Sequence, residues 1–370
     1  MIIIFIIFGI ISLMYVLLIF CFYIGWRKIP FYRINSYSRN VNISVIISVR
    51  NEQEVITNLL NDLVLQNYSK ERLQIIIVND HSEDNTENIV EEYIREVKNI
   101  RLINLQNNKF GKKNAIIEGV NLAKGELIIT TDADCRVRCN WVAAIAEFYK
   151  TEKPKMIISP VVMNENKSFF QKAQSLEFMS LIGAGAGATG VKHPFICNGA
   201  NLAFEKSVFN NIMLENEHAS GDDVFLLHNL KKKYRNKIVF LKNYDAVVNT
   251  NCLRTFKGFL NQRIRWTSKS KSYFDFDSII ISLIVFLMNS LLFVNIVLSF
   301  FYIEYLYSFL IIFILKTVID ITIFIPITRF FKKQKLLFFI IPVQFLYVLY
   351  VTFIVIISSF MKYSWKNRQY

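Results

Sequence analysis

The sequence predicts an α/β domain with a mostly parallel sheet, joined to transmembrane α-helices, one N-terminal and about three C-terminal. Three observations predict it. From Asn42 onward, short apolar runs alternate with polar, helix-like stretches, the pattern of βαβ units. Ile2 to Ile24 is an almost unbroken apolar stretch, long enough to cross about 30 Å of hydrocarbon. Across 370 residues, 53% are hydrophobic and 33 are Phe, which is more apolar than a purely soluble protein.

The first apolar stretch is followed directly by Arg27 and Lys28. No basic region precedes it and no small-residue cleavage site follows, so a retained anchor is expected rather than a signal peptide. Strands are expected at Ile43–Ser48, Leu73–Val78, Ile100–Ile103 and Leu127–Thr130, each closed by a polar or charged turn. Between the first two, Val55, Leu59, Leu60, Leu63 and Val64 are spaced as one face of an amphipathic helix. Ser82 reads as the N-cap of a helix reaching about Lys98. Further strand-like runs are Met156–Ser159 and Lys237–Leu241. The glycines of Gly183–Gly190 suit either a mobile loop or a tightly packed helix. From Leu253 to Phe276, Arg, Lys, Phe and Trp accumulate ahead of a span, as in an interfacial amphipathic helix.

Spans are expected at Ile279–Phe301, Tyr307–Ile327 and Leu336–Met361. The basic segment Arg329–Lys335 and the pair Arg27 and Lys28 belong on the cytoplasmic side. This gives an integral membrane protein of the inner or plasma membrane with a cytoplasmic central domain. The basic tail Lys362–Arg368 then lies outside, against the rule. Lys316 and Asp320, four apart inside a span, are expected to pair with each other. The expected division is 1–28 anchor, 42–252 soluble domain, 253–277 interfacial segment and 278–361 C-terminal helices.

A net charge of +14 raises the question of nucleic acid. The basic residues are dispersed and many flank spans, which fits anionic lipid instead, and no nucleic-acid-binding motif is present. The five cysteines, Cys21, Cys135, Cys139, Cys197 and Cys252, form no C-x-x-C pair and read as free thiols.

The chemistry centres on Asp132-Ala133-Asp134, which closes the apolar run Glu126–Thr131. Carboxylates at the carboxyl edge of an α/β sheet lie where such sheets bind ligands, and two of them suit a hard divalent cation that bridges to phosphate. In order along the chain stand Ser48-Val-Arg-Asn-Glu52, Val78-Asn-Asp80, Gly111-Lys-Lys-Asn-Ala115, Asp132-Ala-Asp134, Gly199-Ala-Asn201, Gly221-Asp-Asp223 and Gln262-Arg-Ile-Arg-Trp266. This ordered set resembles the family-2 glycosyltransferases, in the membrane-embedded branch that includes cellulose, chitin, hyaluronan and poly-N-acetylglucosamine synthases. The resemblance covers most of residues 42 to 270.

It implies a Rossmann-like domain of the glycosyltransferase-A type and a nucleotide-sugar donor, usually a uridine diphosphate sugar. Asn51, Glu52 and Asp80 would meet the base and ribose, and Lys112 or Lys113 the diphosphate, although solvated surface lysines read the same way. Asp134, with Asp132, would hold Mg²⁺ or Mn²⁺. Asp223 would be the general base of an inverting transfer, with Asp222 its alternative or electrostatic partner. Gly199 and Asn201 would lie on the acceptor side. Arg265 can fork onto phosphate and Trp266 can stack a sugar ring beside Gln262, although Arg and Trp before a span also suit an interfacial belt.

The Q-x-x-R-W element points to processive synthesis. Three C-terminal spans are fewer than a polymer channel usually has, so either the protein oligomerises or it transfers one or a few sugars to a lipid-linked acceptor. The rival outside enzymology is a non-catalytic membrane sensor of nucleotide sugars or a transporter subunit. Intact Asp132, Asp134, Asp223, Arg265 and Trp266 argue against it.

Overall fold

The computed structural model describes residues 2–34, 40–209, 223–270, 273–358, 364–365 and 368–369. The chain divides into two compact units. One comprises Ile29–Asn164 and Lys192–Asn251; the other comprises Met1–Lys28, Glu165–Val191 and Cys252–Tyr370. The expected continuous domain 42–252 is therefore interrupted, because the segment Glu165–Val191 joins the helical unit.

The α/β unit is built on seven strands: β1 Ile43–Val49, β2 Leu73–Asn79, β3 Ile100–Asn104, β4 Leu127–Asp132, β5 Met156–Ile158, β7 Leu202–Glu205 and β8 Ile238–Phe240. Their order is β3-β2-β1-β4-β7-β5-β8, with β6 (Val161–Asn164) and β9 (Val248–Asn251) paired separately. Strands β3, β2, β1 and β4 run parallel, whereas β7 is antiparallel to both β4 and β5. The continuous apolar text of β1, β2 and β4 follows from burial on both faces.

Helices α2 (Ile56–Val64), α3 (Thr86–Glu96), α4 (Gly111–Leu122) and α5 (Trp141–Glu152) connect or flank the strands. Helix α3 begins four residues after the expected N-cap Ser82. The reason is a contact with the loop after β1: Ser82 Oγ accepts the Asn51 N–H at 3.1 Å, and the Ser82 N–H is donated to Asn79 Oδ1 at 3.0 Å. That hydroxyl joins two loops instead of starting a helix. The unit's second half also carries a 3₁₀ turn at Gly199–Asn201, α7 at Asp223–Tyr234 and a 3₁₀ turn at Arg235–Lys237.

In the helical unit, α1 (Ile2–Lys28) packs against α6 (Phe169–Gly190), and Gly183–Gly190 is helical, not a loop. The small residues allow backbone contact: a Cβ placed on Gly25 would lie 1.8 Å from the Gly187 carbonyl oxygen. The remaining helices are α8 (Phe256–Ser270), α9 (Phe276–Leu298), α10 (Ile303–Phe331) and α11 (Ile340–Ile357).

Among the described residues, four helical stretches are long and apolar enough to cross a membrane: Ile2–Lys28, Phe276–Leu298, Ile303–Phe331 and Gln334–Ile357. The third runs past the charged Arg329 and stops only where Lys332 turns left-handed at φ 58°. Hydropathy marks where apolar side chains end, which is not where backbone hydrogen bonding ends. Lys316 Nζ meets Asp320 Oδ2 at 2.7 Å. Tyr15 Oη and Gln344 Nε2 also donate to that carboxylate, at 2.8 and 2.6 Å, so an intramembrane charge is satisfied by three helices.

Candidate active site

Strand register gathers the polar residues at one edge. Ser48 lies opposite both Val78 and Asp132, and Val49 opposite Asn79, so β1, β2 and β4 end level. The loops carrying Asn51 and Glu52, Asp80 and His81, and Ala133 and Asp134 leave from that edge. Because β7 is antiparallel, with Leu202 opposite Thr130, the Gly199–Asn201 turn before it returns to the same place. Thr130 Oγ1 donates to the Gly199 carbonyl at 2.8 Å.

The loops after β1 and β2 are tied together. Asn51 is left-handed at φ 50° and its Oδ1 accepts the Glu83 N–H at 2.8 Å; the Glu52 N–H is donated to Thr86 Oγ1 at 2.8 Å. Arg50, nearly buried, donates to the carbonyls of Asp80 and His81. Its weight is not visible in the sequence, where it is one more arginine beside the motif.

Asp80 is fully buried, whereas the sequence assigns it to the nucleoside. Its Oδ2 accepts the N–H of Gly111 at 3.0 Å, and its Oδ1 lies 3.2 Å from His81 Nδ1. The carboxylate thus holds the first residue of α4, where φ is 88° and glycine is the residue that adopts it readily. His81, left-handed at φ 56°, lies against Phe110 with ring centroids 4.7 Å apart.

Fixing Gly111 fixes Lys112 beside it. The Lys112 ammonium pairs with Asp132 Oδ1. Lys112 also lines a pocket of about 30 Å³ shared with Thr130, Gly199 and Asp223. Asp223 opens α7, and its Oδ2 accepts the Gly199 N–H at 2.5 Å. An acid 91 residues beyond Asp132 therefore reaches the edge on which β4 ends. Asp222 lies outside the described residues.

Asn201 is turned inward. Its Nδ2 donates to the carbonyls of Pro160 and Ala246, at 2.8 and 2.7 Å, and its Oδ1 accepts Trp141 Nε1–H at 3.0 Å. Fully buried, it braces the turn that presents Gly199.

The protein packed around Asp134 raises its pKa; desolvation is the main cause and the Asp132 charge the second, with Lys112 opposing. Two carboxylates that repel each other present the oxygen donors a hard divalent cation takes. No third His, Cys, Asp or Glu completes a cluster among the described residues. This donor set fits an ion that completes its shell with phosphate oxygens and water. Burial, then the charges of Asp132 and Asp134, push the Cys135 thiol pKa up. All five cysteines are free.

Gln262, Arg265 and Trp266 lie on α8 of the helical unit. The Trp266 ring is 6.3 Å from that of Phe178 on α6. The residue that anchors this helix is Arg263, whose side chain is 3% exposed and paired with Glu177.

Residues 44–213 match the family model described as glycosyl transferase family 2. Over those residues the chain is similar to the family 2 glycosyltransferases. Among curated proteins, the chain is 24% identical over 262 residues to the poly-beta-1,6-N-acetyl-D-glucosamine synthase of Staphylococcus epidermidis, covering 66% of this chain and 59% of that protein. It is 28% identical over 234 residues to the Staphylococcus aureus synthase of the same name, covering 60% of this chain and 53% of that one. The chain thus spans between half and three-fifths of the length of these relatives. Among solved structures, the mannosyltransferase PcManGT from Pyrobaculum calidifontis, in complex with GDP-Man and Mn²⁺, aligns over 71% of each chain with a TM-score of 0.53 and 17% identity. That likeness extends the shared Rossmann-like, glycosyltransferase-A fold beyond sequence similarity.

Proposed function

We propose that this protein transfers a sugar, with inversion, from a nucleoside diphosphate donor to a glycan or lipid-linked acceptor at the membrane. The observation that carries the proposal is the meeting of Lys112, which is paired with Asp132, and Asp223 at one pocket, brought together from three separate parts of the sequence. The names of the staphylococcal relatives support N-acetylglucosamine as the sugar, carried as UDP-GlcNAc. The basic flanks of the spans support a plasma-membrane protein with its α/β unit on the cytoplasmic side.

In this reading, Asn51 and Glu52 frame the nucleoside, with Asp80 acting through Gly111 and His81. Lys112 neutralises diphosphate charge. Asp223, oriented by the Gly199 N–H, takes the proton from the acceptor hydroxyl as that oxygen bonds to the anomeric carbon. The bond to the diphosphate breaks on the opposite face. Asp134 and Asp132 would hold the divalent cation, Mg²⁺ or Mn²⁺, which stabilises the leaving diphosphate when bound. PcManGT is described with Mn²⁺ and GDP-Man, which supports both a divalent ion and a nucleoside diphosphate sugar here. Gln262 and Trp266 serve the acceptor and the growing chain, Arg265 meets the donor phosphate, and the Q-x-x-R-W element favours repeated transfer over a single addition.

The test is transfer from radiolabelled UDP-GlcNAc by purified protein, with product sized on a gel. Label should enter long product with Mg²⁺ or Mn²⁺, cease with EDTA and return when the ion is restored. Label confined to a single-sugar lipid would refute processivity, and full transfer in EDTA would refute the metal role.

A further inference from the structure

The guanidinium of Arg263 is the most constrained charged group outside the pocket. Its Nε lies 2.9 and 3.1 Å from the two oxygens of Glu177 on α6, and its Nη2 is 2.7 Å from Oε2. Glu177 Oε1 also accepts Tyr350 Oη of α11 at 3.1 Å. A planar fork held on two sides has its plane and its rotation set. That plane meets both neighbours on α8: the guanidinium carbon is 4.3 Å from the Trp266 ring centroid and 4.6 Å from that of Phe259. Its remaining terminal nitrogen, Nη1, donates to Gln262 Oε1.

One side chain therefore touches both of the residues, Gln262 and Trp266, that the Q-x-x-R-W reading assigns to the acceptor. We infer that Arg263 is a positioning residue for the acceptor. It fixes the indole face of Trp266 by a cation–π contact, and it engages the Gln262 carbonyl oxygen so that the amide NH₂ is the group presented to a sugar hydroxyl. The Glu177 carboxylate keeps the guanidinium in place. Lysine carries the charge without the fork and cannot hold both neighbours at once. This inference rests on the proposed acceptor role of Trp266, and the experiment separates the two.

The measurement is the initial rate of transfer from UDP-GlcNAc to a soluble β-1,6-linked N-acetylglucosamine oligomer, with each substrate varied in turn. The variants are Arg263→Lys, Glu177→Gln, Trp266→Ala and the Arg263→Lys/Trp266→Ala double. The expected result is an acceptor KM about tenfold higher for Arg263→Lys and for Trp266→Ala, with donor KM within about twofold of wild type. The double variant should be no worse than about twofold beyond either single, because both remove one arrangement. Glu177→Gln, which keeps the size of the residue and weakens the clamp, should fall between wild type and Arg263→Lys. A raised acceptor KM in Trp266→Ala with wild-type kinetics in both Arg263→Lys and Glu177→Gln would overturn the positioning role and leave the proposed function standing. Wild-type acceptor KM in Trp266→Ala would instead overturn the acceptor role of α8, and the inference with it. Equal losses for donor and acceptor in every variant would assign Arg263 to stability alone.

Discussion

Replacing Lys112 by Met removes a charge and keeps most of the side-chain length, which separates a donor-binding lysine from a solvated one. Side chains of Lys112 and Asp132 are 41% and 36% exposed, so solvent screens their ion pair and its loss should cost less than about 1 kcal/mol of stability. By contrast, a charge-assisted hydrogen bond to a diphosphate contributes about 1.5–3 kcal/mol, a loss of roughly 10- to 150-fold in kcat/KM for the donor. The pH profile should move as well. Burial and Asp132 raise the Asp134 pKa, and Lys112 opposes them. Without Lys112 that pKa rises further. If ionised Asp134 is the active form, activity falls as pH drops through its pKa, so the acid limb of the profile should shift to higher pH. Transfer rates against UDP-GlcNAc from pH 5 to 9, with thermal melting of the same samples, measure all three quantities. Wild-type kcat/KM with an unmoved acid limb would refute the reasoning. A large drop in melting temperature would show that Lys112 is structural.

Two further predictions follow from contacts outside the Lys112–Asp132 pair. A Cβ added at Gly199 would lie 3.2 Å from Asp223 Oδ2, so Gly199→Ala should push the carboxylate aside, lowering kcat at least about tenfold while UDP binding by calorimetry stays near wild type. Lys316→Met leaves Asp320 buried with only Tyr15 and Gln344 as donors. It should destabilise the detergent-solubilised protein by about 3 kcal/mol in denaturant titration, and replacing both charged residues by apolar ones should cost less.

The parallel half of the sheet is legible because strands buried on both faces must be apolar throughout, and β1, β2 and β4 are. The Asp132–Asp134 corner follows from it, since a strand end is a place that register alone defines. Other features depend on distant partners. The start of α3 is misplaced from sequence because Ser82 spends its hydroxyl on Asn51. The membership of α6 in the helical unit depends on Gly25 meeting Gly187 across more than 160 residues. Asp80 and Asn201 look like ligand residues because a carboxylate or amide at a turn reads the same whether it faces solvent or the core. Only the partners Gly111, Trp141, Pro160 and Ala246 distinguish the two cases. Arg263 and Arg265 are indistinguishable as letters, and Glu177, which selects between them, lies on another helix.

The central claim is that Asp223 serves as the base at the edge where Lys112 and Asp132 meet. Asp223→Asn keeps the shape and an oxygen to accept the Gly199 N–H, and removes the basic carboxylate. UDP-GlcNAc binding by calorimetry, run beside transfer rates on the same preparation, tests the claim directly. The account predicts donor affinity within about threefold of wild type and transfer reduced by at least about a hundredfold. Transfer at the wild-type rate by the folded variant would contradict it.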